Sequence, residues 1–286
     1  MIRYGKKEDV LRLKRLWKES FGDEDAFIDS FFEMLYQDQN VLLEEKDGML
    51  LGASFFLPGR IFTETGWQDI RYVYALAVYP EYRGQKIATR LLDEAGERYK
   101  TPMITEPADA GLADRFYQPY GFQKCFYLDY CETNLLVQMP EPEKNVNLEP
   151  EGWQIKPVGA AEYFGLREKY FRKPGYVEWP LEHITFALRE HRRQGGDALL
   201  IIWAGREDLM LYTVDDGKLV VTETTFTGGE ALRYLPYLLS YRADLNVNRQ
   251  KVIIKSRTNE GSSCRQLLGM AYGMTVNGGY LNLTLD

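Results

Sequence analysis

The chain is short of the residues on which metal and disulfide chemistry depend: its 286 residues hold two histidines and three cysteines. His183 and His191 fall in one stretch of helical spacing, and no second pair of ligands completes a zinc site, so no metal centre is expected. Cys125, Cys131 and Cys264 are odd in number and lack ligand spacing, which fits free thiols in a reducing, cytoplasmic compartment. No apolar run approaches the roughly 18 residues of a bilayer span, and the opening Met-Ile-Arg-Tyr-Gly-Lys-Lys-Glu-Asp has no apolar core of a signal peptide. A membrane partner is therefore not expected. Positive charge is outnumbered, 35 Lys and Arg against 42 Asp and Glu, and a net charge of -7 repels a phosphate backbone, which argues against nucleic acid.

What is present is ordinary for a folded protein, 45% hydrophobic and 27% charged, at a length that suits two domains. A short strand at 2–5 precedes Val10, Leu13, Leu16, Trp17 and Phe21, which recur at helical spacing until Gly22. A second helix, 23–36, carries Phe27, Ile28, Phe31, Phe32 and Leu35, a stripe that either faces a sheet or lines a substrate slot. Asp47-Gly48 is a two-residue hairpin signal between strands 41–45 and 49–57. Strands at 61–64 and 70–79, a helix at 85–99, a strand at 102–105, a helix at 110–118 and an aromatic strand at 121–132 complete a first domain, 1–135. Residues 136–152, rich in Pro, Glu and Asn, read as a linker.

The remainder, 153–286, nearly repeats that order. Strands are expected at 153–158, 198–204, 209–214, 219–226, 251–256 and 280–285, with helices at 160–171, 178–194, 229–241 and 263–268. The expected fold is α/β (α+β): two tandem copies, each a mixed, mostly antiparallel twisted sheet flanked by helices.

The informative stretch is YVYALAVYPEYRGQKIATRLLDEA, a buried strand that passes through a tight basic loop directly into a helix. The first turn of a helix has unpaired N–H groups and a partial positive charge, so a loop folded over it can hold a pyrophosphate. Arg83 adds a formal charge and Gly84 allows close main-chain approach. This segment resembles motif A of the Gcn5-related N-acetyltransferases (GNAT superfamily): Arg or Gln, two residues, Gly, one residue, then Gly or Ala. Arg83 and Ala88 match, while Lys86 stands where the family has glycine, a position where a need for positive φ would weaken coenzyme binding. ADRFYQPYGFQK resembles the family's Ala-x-x-Phe-Tyr-x-x-x-Gly-Phe through Ala113, Phe116, Tyr117, Gly121 and Phe122; Ala110 replaces an asparagine often found there. The two-copy layout is similar to the enhanced intracellular survival type. Aligning Tyr272-Gly273 on Tyr120-Gly121 puts Gly269 where Tyr117 stands, so the second copy is expected to be degenerate and inert.

The resemblance implies acetyl-CoA as co-substrate, contacted by Leu76, Ala77, Val78, Arg83, Gly84, Gln85, Lys86, Ile87, Ala88, Thr89 and Phe116. It implies Tyr117 as the acid that protonates the departing thiolate, against the plainer reading of a packed ring. The reaction it implies is direct acetyl transfer to a primary amine. The proton acceptor is left among Glu106, Asp69, Tyr74 and the chain end at Asp286, with Glu106 foremost. Acidic balance and 20 tyrosines suit a small cationic acceptor. A non-catalytic acyl-CoA-binding regulator is the alternative, and a homo-oligomer is left open.

Overall fold

Residues 1–133, 154–203, 205–215, 217–226, 252–257 and 265–282 are described by a computed structural model. The expected linker 136–152 and helix 229–241 lie outside these residues, as do Cys264 and Asp286. No helix among the described residues is long and apolar enough to cross a membrane. The chain divides into two compact units that are not contiguous in sequence. The first comprises 1–126, 173–186 and 268–281; the second comprises 127–172, 187–267 and 282–286. The contiguous division at 135 and 153 expected above differs from this, because two segments of the second half join the first unit.

In the first unit the helical spacing closes as α1 (Val10–Phe21), burying Leu13, Leu16 and Trp17, and Gly22 ends it with its N–H on the Lys18 carbonyl. α2 (Asp25–Met34) presents Phe31 and Phe32 to Trp17 and to the sheet, with centroids of Trp17 and Phe31 4.7 Å apart. Burying each such ring contributes about 1.5–3 kcal/mol. The α2 stripe thus takes the core side of the choice left open by its sequence.

The sheet begins with β1 (Ile2–Tyr4), β2 (Val41–Lys46), β3 (Met49–Thr63) and β4 (Gly66–Val78), each antiparallel to the next. Asp47 and Gly48 both take positive φ, as the hairpin between β2 and β3 requires. The two strands expected at 49–57 and 61–64 are one, despite Pro58. The Phe62 N–H points to the Tyr176 carbonyl, away from β4, and strand alternation puts the missing N–H of Pro58 on that same edge. There β2 has ended opposite Phe55 and β8 (Val177–Glu178) starts only opposite Arg60 and Ile61, so no ladder bond is lost.

α3 (Ile87–Tyr99) buries Ile87, Leu91, Leu92 and Ala95. β5 (Met103–Thr105) pairs in parallel with β4, and on its other side with β13 (Arg265–Tyr272), Met270 opposite Thr105. This overturns the helix expected at 263–268. Tertiary pairing wins over a locally helical pattern, since β5 would otherwise leave an unpaired buried edge. Gly269 is required by that approach: a Cβ there would lie 2.4 Å from Leu281 Cδ2 and 2.9 Å from the Thr105 carbonyl. It also overturns the alignment of Gly269 on Tyr117, because Gly269 sits in a strand and Tyr272 packs its ring on Tyr120 at 5.2 Å. Of the strand expected at 280–285, Tyr280 bridges Tyr176; 283–286 are outside the described residues.

The second unit contains β7 (Gln154–Pro157), α5 (Ala160–Phe171), most of α6 (Leu181–Arg193), β9 (Asp197–Trp203), β10 (Arg206–Asp215), β11 (Lys218–Thr224) and β12 (Val252–Arg257), with the later residues of β6 (Gln123–Thr133). β7, β9, β10 and β11 are successively antiparallel and β11 is parallel to β12, the same sequence of pairings as β1 to β5. Its core gathers Leu199, Ile201, Met210, Tyr212, Val221 and Ile254. Beside it Arg167 and Glu223, both fully buried, form an ion pair at 3.0 Å.

A charged network ties the start of the chain to β2. Arg3 binds Asp9 at 2.7 Å and Glu45 at 2.8 Å, and Arg12 binds both as well. Burial pushes the Asp9 carboxyl up, but hydrogen bonds from Arg3 and Arg12 bring it down to about 2; the Arg3 bond likewise brings Glu45 to about 2. Both lie below the unfolded range of roughly 4, so this stabilisation is complete above about pH 5 and is lost as pH falls toward about 2. Asp9→Asn is expected to cost about 2 kcal/mol at neutral pH and to flatten the acid limb of stability measured by urea denaturation. An acid limb unchanged from wild type would place the acid-sensitive groups elsewhere.

Candidate active site

The site is laid down by a strand that loses a neighbour. β4 pairs with β5 at Arg71 opposite Met103 and Tyr72 opposite Ile104, and at no later residue, while its pairing with β3 continues to Val78 opposite Gly52. Within that singly paired stretch the register shifts: Ala53 faces Ala77 and Phe55 faces Tyr74, so Ala75 and Leu76 together oppose Ser54. Ala75 takes φ 47°, a left-handed conformation that bends the strand at a bulge. Beyond it the Tyr79 N–H bonds the Leu51 carbonyl of β3 at 3.0 Å, so strand alternation turns the N–H and carbonyl of Val78 to the open edge.

The chain then makes a single 3-10 turn, Pro80–Tyr82, before α3. Arg83, Gly84, Gln85 and Lys86 are exposed, Ile87 is buried, and Ala88 and Thr89 are half-buried. The Arg83 side chain folds back, Nε donating to the Val78 carbonyl at 3.2 Å. Gly84 has φ 78°, and a Cβ there would meet nothing within 4 Å, so the main chain borders open space. Lys86 has φ 59° and ψ 24° and caps α3 without a side-chain bond. It thus adopts the left-handed geometry that glycine takes at little cost, and the helix proper begins at Ile87, two residues later than expected. The first intrahelical bond is Arg90 N–H to the Lys86 carbonyl, which leaves the N–H groups of Ile87, Ala88 and Thr89 free of helical partners.

Two residues that sequence reasoning missed hold this loop. Arg90 donates to the Gln85 carbonyl at 2.7 Å and to Glu44 of β2 at 2.6 and 3.1 Å. An arginine one turn into a helix facing a glutamate on another strand is invisible without the register that joins them.

The second group converges from α4, made of Ala110–Leu112, a π-turn at Ala113–Tyr117, and Gln118–Tyr120. Asp109 caps it by accepting from the Leu112 N–H at 2.7 Å. The widened turn of a π-helix is a common feature of functional sites. It carries Tyr117, which is 5% exposed, with Phe116 and Phe122 rings 5.0 and 5.3 Å away. Burial pushes the Tyr117 phenol up; its bond to the Thr105 side chain opposes this. Thr105, itself buried at the end of β5, donates to the Val73 carbonyl of β4 at 3.2 Å. Tyr117 is thereby tied through Thr105 to β4 at the point where the strands part, a link no motif announced.

Glu106 follows Thr105 and is half-buried at the same end of β5. Asp69 does not join it: exposed and opposite Arg60, it lies six residues before the bulge, about 20 Å along the strand. Tyr74 points into the aromatic core, its ring 5.5 Å from Trp17 and from Phe31. Among the described residues no group of three or more His, Cys, Asp or Glu comes together that could hold a metal.

The family described as "Acetyltransferase (GNAT) domain" matches the segment that carries this splayed strand pair, bulge and open helix start, residues 1–125. Residues 1–125 thus match a GNAT acetyltransferase domain. No curated protein matches the sequence. Among solved structures the fold is similar to a conserved Enterococcus faecalis protein of unknown function described as a probable N-acyltransferase. The TM-score is 0.71 at 14% identity over 95% of this chain and 71% of that one. It is also similar to Eis1 from Mycobacterium abscessus, TM-score 0.64 at 12% identity over 95% and 73%. A putative acetyltransferase from Pyrococcus horikoshii gives 0.57 at 16% over 99% and 94%. At these identities the likeness is one of fold.

Opposite outcomes are expected at two positions of the loop before α3. Gly84→Ala puts a side chain on a left-handed residue and should lower the unfolding free energy by about 1 kcal/mol. Lys86→Gly removes comparable strain, less the entropy that glycine gains when unfolded, and should be neutral or raise stability by about 0.5 kcal/mol. Denaturant melts of both variants check this; equal losses would mean that the Lys86 side chain makes a stabilising contact.

Proposed function

We propose that this protein transfers an acetyl group from acetyl-CoA directly to a primary amine of a small cationic acceptor. The observation that carries the reading is the unpaired edge of β4 leading into an uncapped helix start. Leu76 and Val78, either side of Ala77, offer main-chain groups on which a pantetheine arm can continue the ladder that β5 abandons. The N–H groups of Lys86 to Thr89, with Arg83 and Gln85 beside them and Gly84 leaving room, suit a pyrophosphate at the positive end of α3. Phe116, half-buried beside Tyr117, would pack on the arm.

An N–H on the open edge of the bulged strand would stabilise the tetrahedral oxyanion, an interaction worth roughly 3 kcal/mol per donor. Tyr117, kept protonated by burial, would give its proton to the thiolate as the C–S bond breaks. Glu106, at the parted end of β5, is the carboxylate placed to meet the ammonium of the acceptor. The second unit repeats the strand order with a buried Arg167–Glu223 pair beside β11, which fits a copy of the fold that serves structure instead of catalysis.

The strained Lys86 is the feature that favours the competing reading, an acyl-CoA-binding regulator. Calorimetric titration with acetyl-CoA followed by thiol release across an amine panel separates the two, since a regulator binds without turnover. Tyr117→Phe is expected to lower kcat by about 10² or more with coenzyme affinity unchanged. Parallel loss of affinity and turnover would make the ring a packing element only.

A further inference from the structure

One buried histidine in the first unit has a ring nitrogen without a partner among the described residues. His183 opens α6 and is 3% exposed, and its Nδ1 has no hydrogen-bond partner among the described residues. The other histidine, His191, is satisfied at both ring nitrogens, by the Ala187 carbonyl at 2.8 Å and Thr222 Oγ1 at 3.0 Å. A buried polar nitrogen left unpaired costs stability, and so invites a ligand as its partner.

Its neighbours say what that ligand meets. Trp179, just before α6, lies 6.1 Å from the His183 ring and 5.2 Å from Tyr72 of β4. Phe186, one turn beyond His183, lies 5.5 Å from Phe27 and 6.0 Å from Phe31, and Phe31 lies 5.5 Å from Tyr74. His183 is therefore carried between two anchors on the Tyr72 and Tyr74 face of β4, the residues that run into the bulge at Ala75. That face also holds α1 and α2, Trp17 packing on Phe55 and Tyr74, whereas Tyr99 of α3 packs on Phe56, whose side chain alternates to the other face.

We propose that His183 is the acceptor-side catalytic residue, its Nδ1 receiving the N–H of the attacking amine beside the rings of Trp179 and Tyr72. This rests on the acetyl-transfer reading above and extends it to a segment of the chain, 173–186, that lies outside the matched family domain. Burial pulls the His183 imidazole down to about 4, so it is neutral at neutral pH and, with its proton on Nε2, presents Nδ1 as an acceptor. The Trp179 and Tyr72 rings attract the cationic amine, and Glu106 holds its ammonium form until a proton is shed to solvent. The neutral amine then attacks the thioester carbon. A C–N bond forms, the C–S bond breaks, the thiolate takes the Tyr117 proton, and the excess proton on the new amide nitrogen passes to His183 Nδ1. Solvent returns a proton to the tyrosinate and removes one from the imidazolium, leaving amide and thiol.

The full chain labelled with ¹⁵N-histidine tests this, because two histidines give two sets of ring signals. The amine with fastest thiol release among spermidine, kanamycin, phenethylamine and lysine is titrated into the protein saturated with coenzyme A. The Nδ1 signal of His183, assigned by its loss in His183→Asn, should move while that of His191 stays. In steady state His183→Leu should lose at least 10-fold in kcat/KM for the amine with acetyl-CoA affinity unchanged. His183→Asn, whose amide oxygen falls near the place of Nδ1, should retain more. A motionless His183 signal alongside real turnover, or equal loss of coenzyme binding in a folded variant, overturns the proposal and leaves acetyl transfer standing. Absence of acetyl-CoA binding or of thiol release in the wild type overturns both.

Discussion

The ladder between β4 and β5 has two register positions, Arg71 opposite Met103 and Tyr72 opposite Ile104, and the site depends on that brevity. Had the parallel pairing continued, the main-chain groups from Tyr74 to Val78 would be consumed by the sheet. Because β5 ends at Thr105 and turns to β13 on its other edge, β4 is left with one satisfied and one open side just where it bends at Ala75. An unpaired edge costs free energy unless water or a ligand meets it, so the same feature that weakens the sheet prepares it for an extended arm with amide groups.

The neighbouring elements keep that opening in shape. Arg90 and Glu44 clamp the loop before α3, Arg83 reaches back to Val78, and Thr105 ties Tyr117 to Val73. On the opposite face the Trp17, Phe31, Phe55 and Tyr74 rings make a rigid floor. The position of Tyr117 is therefore fixed by three contacts of different kinds: a π-turn in α4, ring packing on Phe116 and Phe122, and one hydroxyl. A second-half segment, 173–186, adds a strand to β3 and lays Trp179 and His183 on the same face, so the unit that carries the family match is larger than the 125 matched residues.

Much of this was legible before any coordinates. Periodicity located α1, α2 and α3, Asp47-Gly48 gave the first hairpin, and the Arg83 to Thr89 and Ala113 to Phe122 segments pointed to the family. What escaped is long-range. The destination of β13 could not be seen, because its apolar residues fit a helix or a strand equally and only the unmet edge of β5 decides between them. The left-handed Lys86 ran against residue preference, which a loop held by Arg90 can override. Asp69 looked near the site only because it shares a strand with Tyr74, and distance along a strand grows quickly. His183 was read as lacking metal partners and passed over, since burial without a partner is a property of the fold and not of spacing.

The account turns on where the coenzyme lies. Hydrogen–deuterium exchange of the full chain with and without saturating acetyl-CoA reads this directly, amide by amide. Slower exchange confined to the bulged end of β4 and the first turn of α3, residues 76–89, with the second unit unaffected, is the predicted result. Protection elsewhere, with these amides exchanging at unchanged rates, would contradict it.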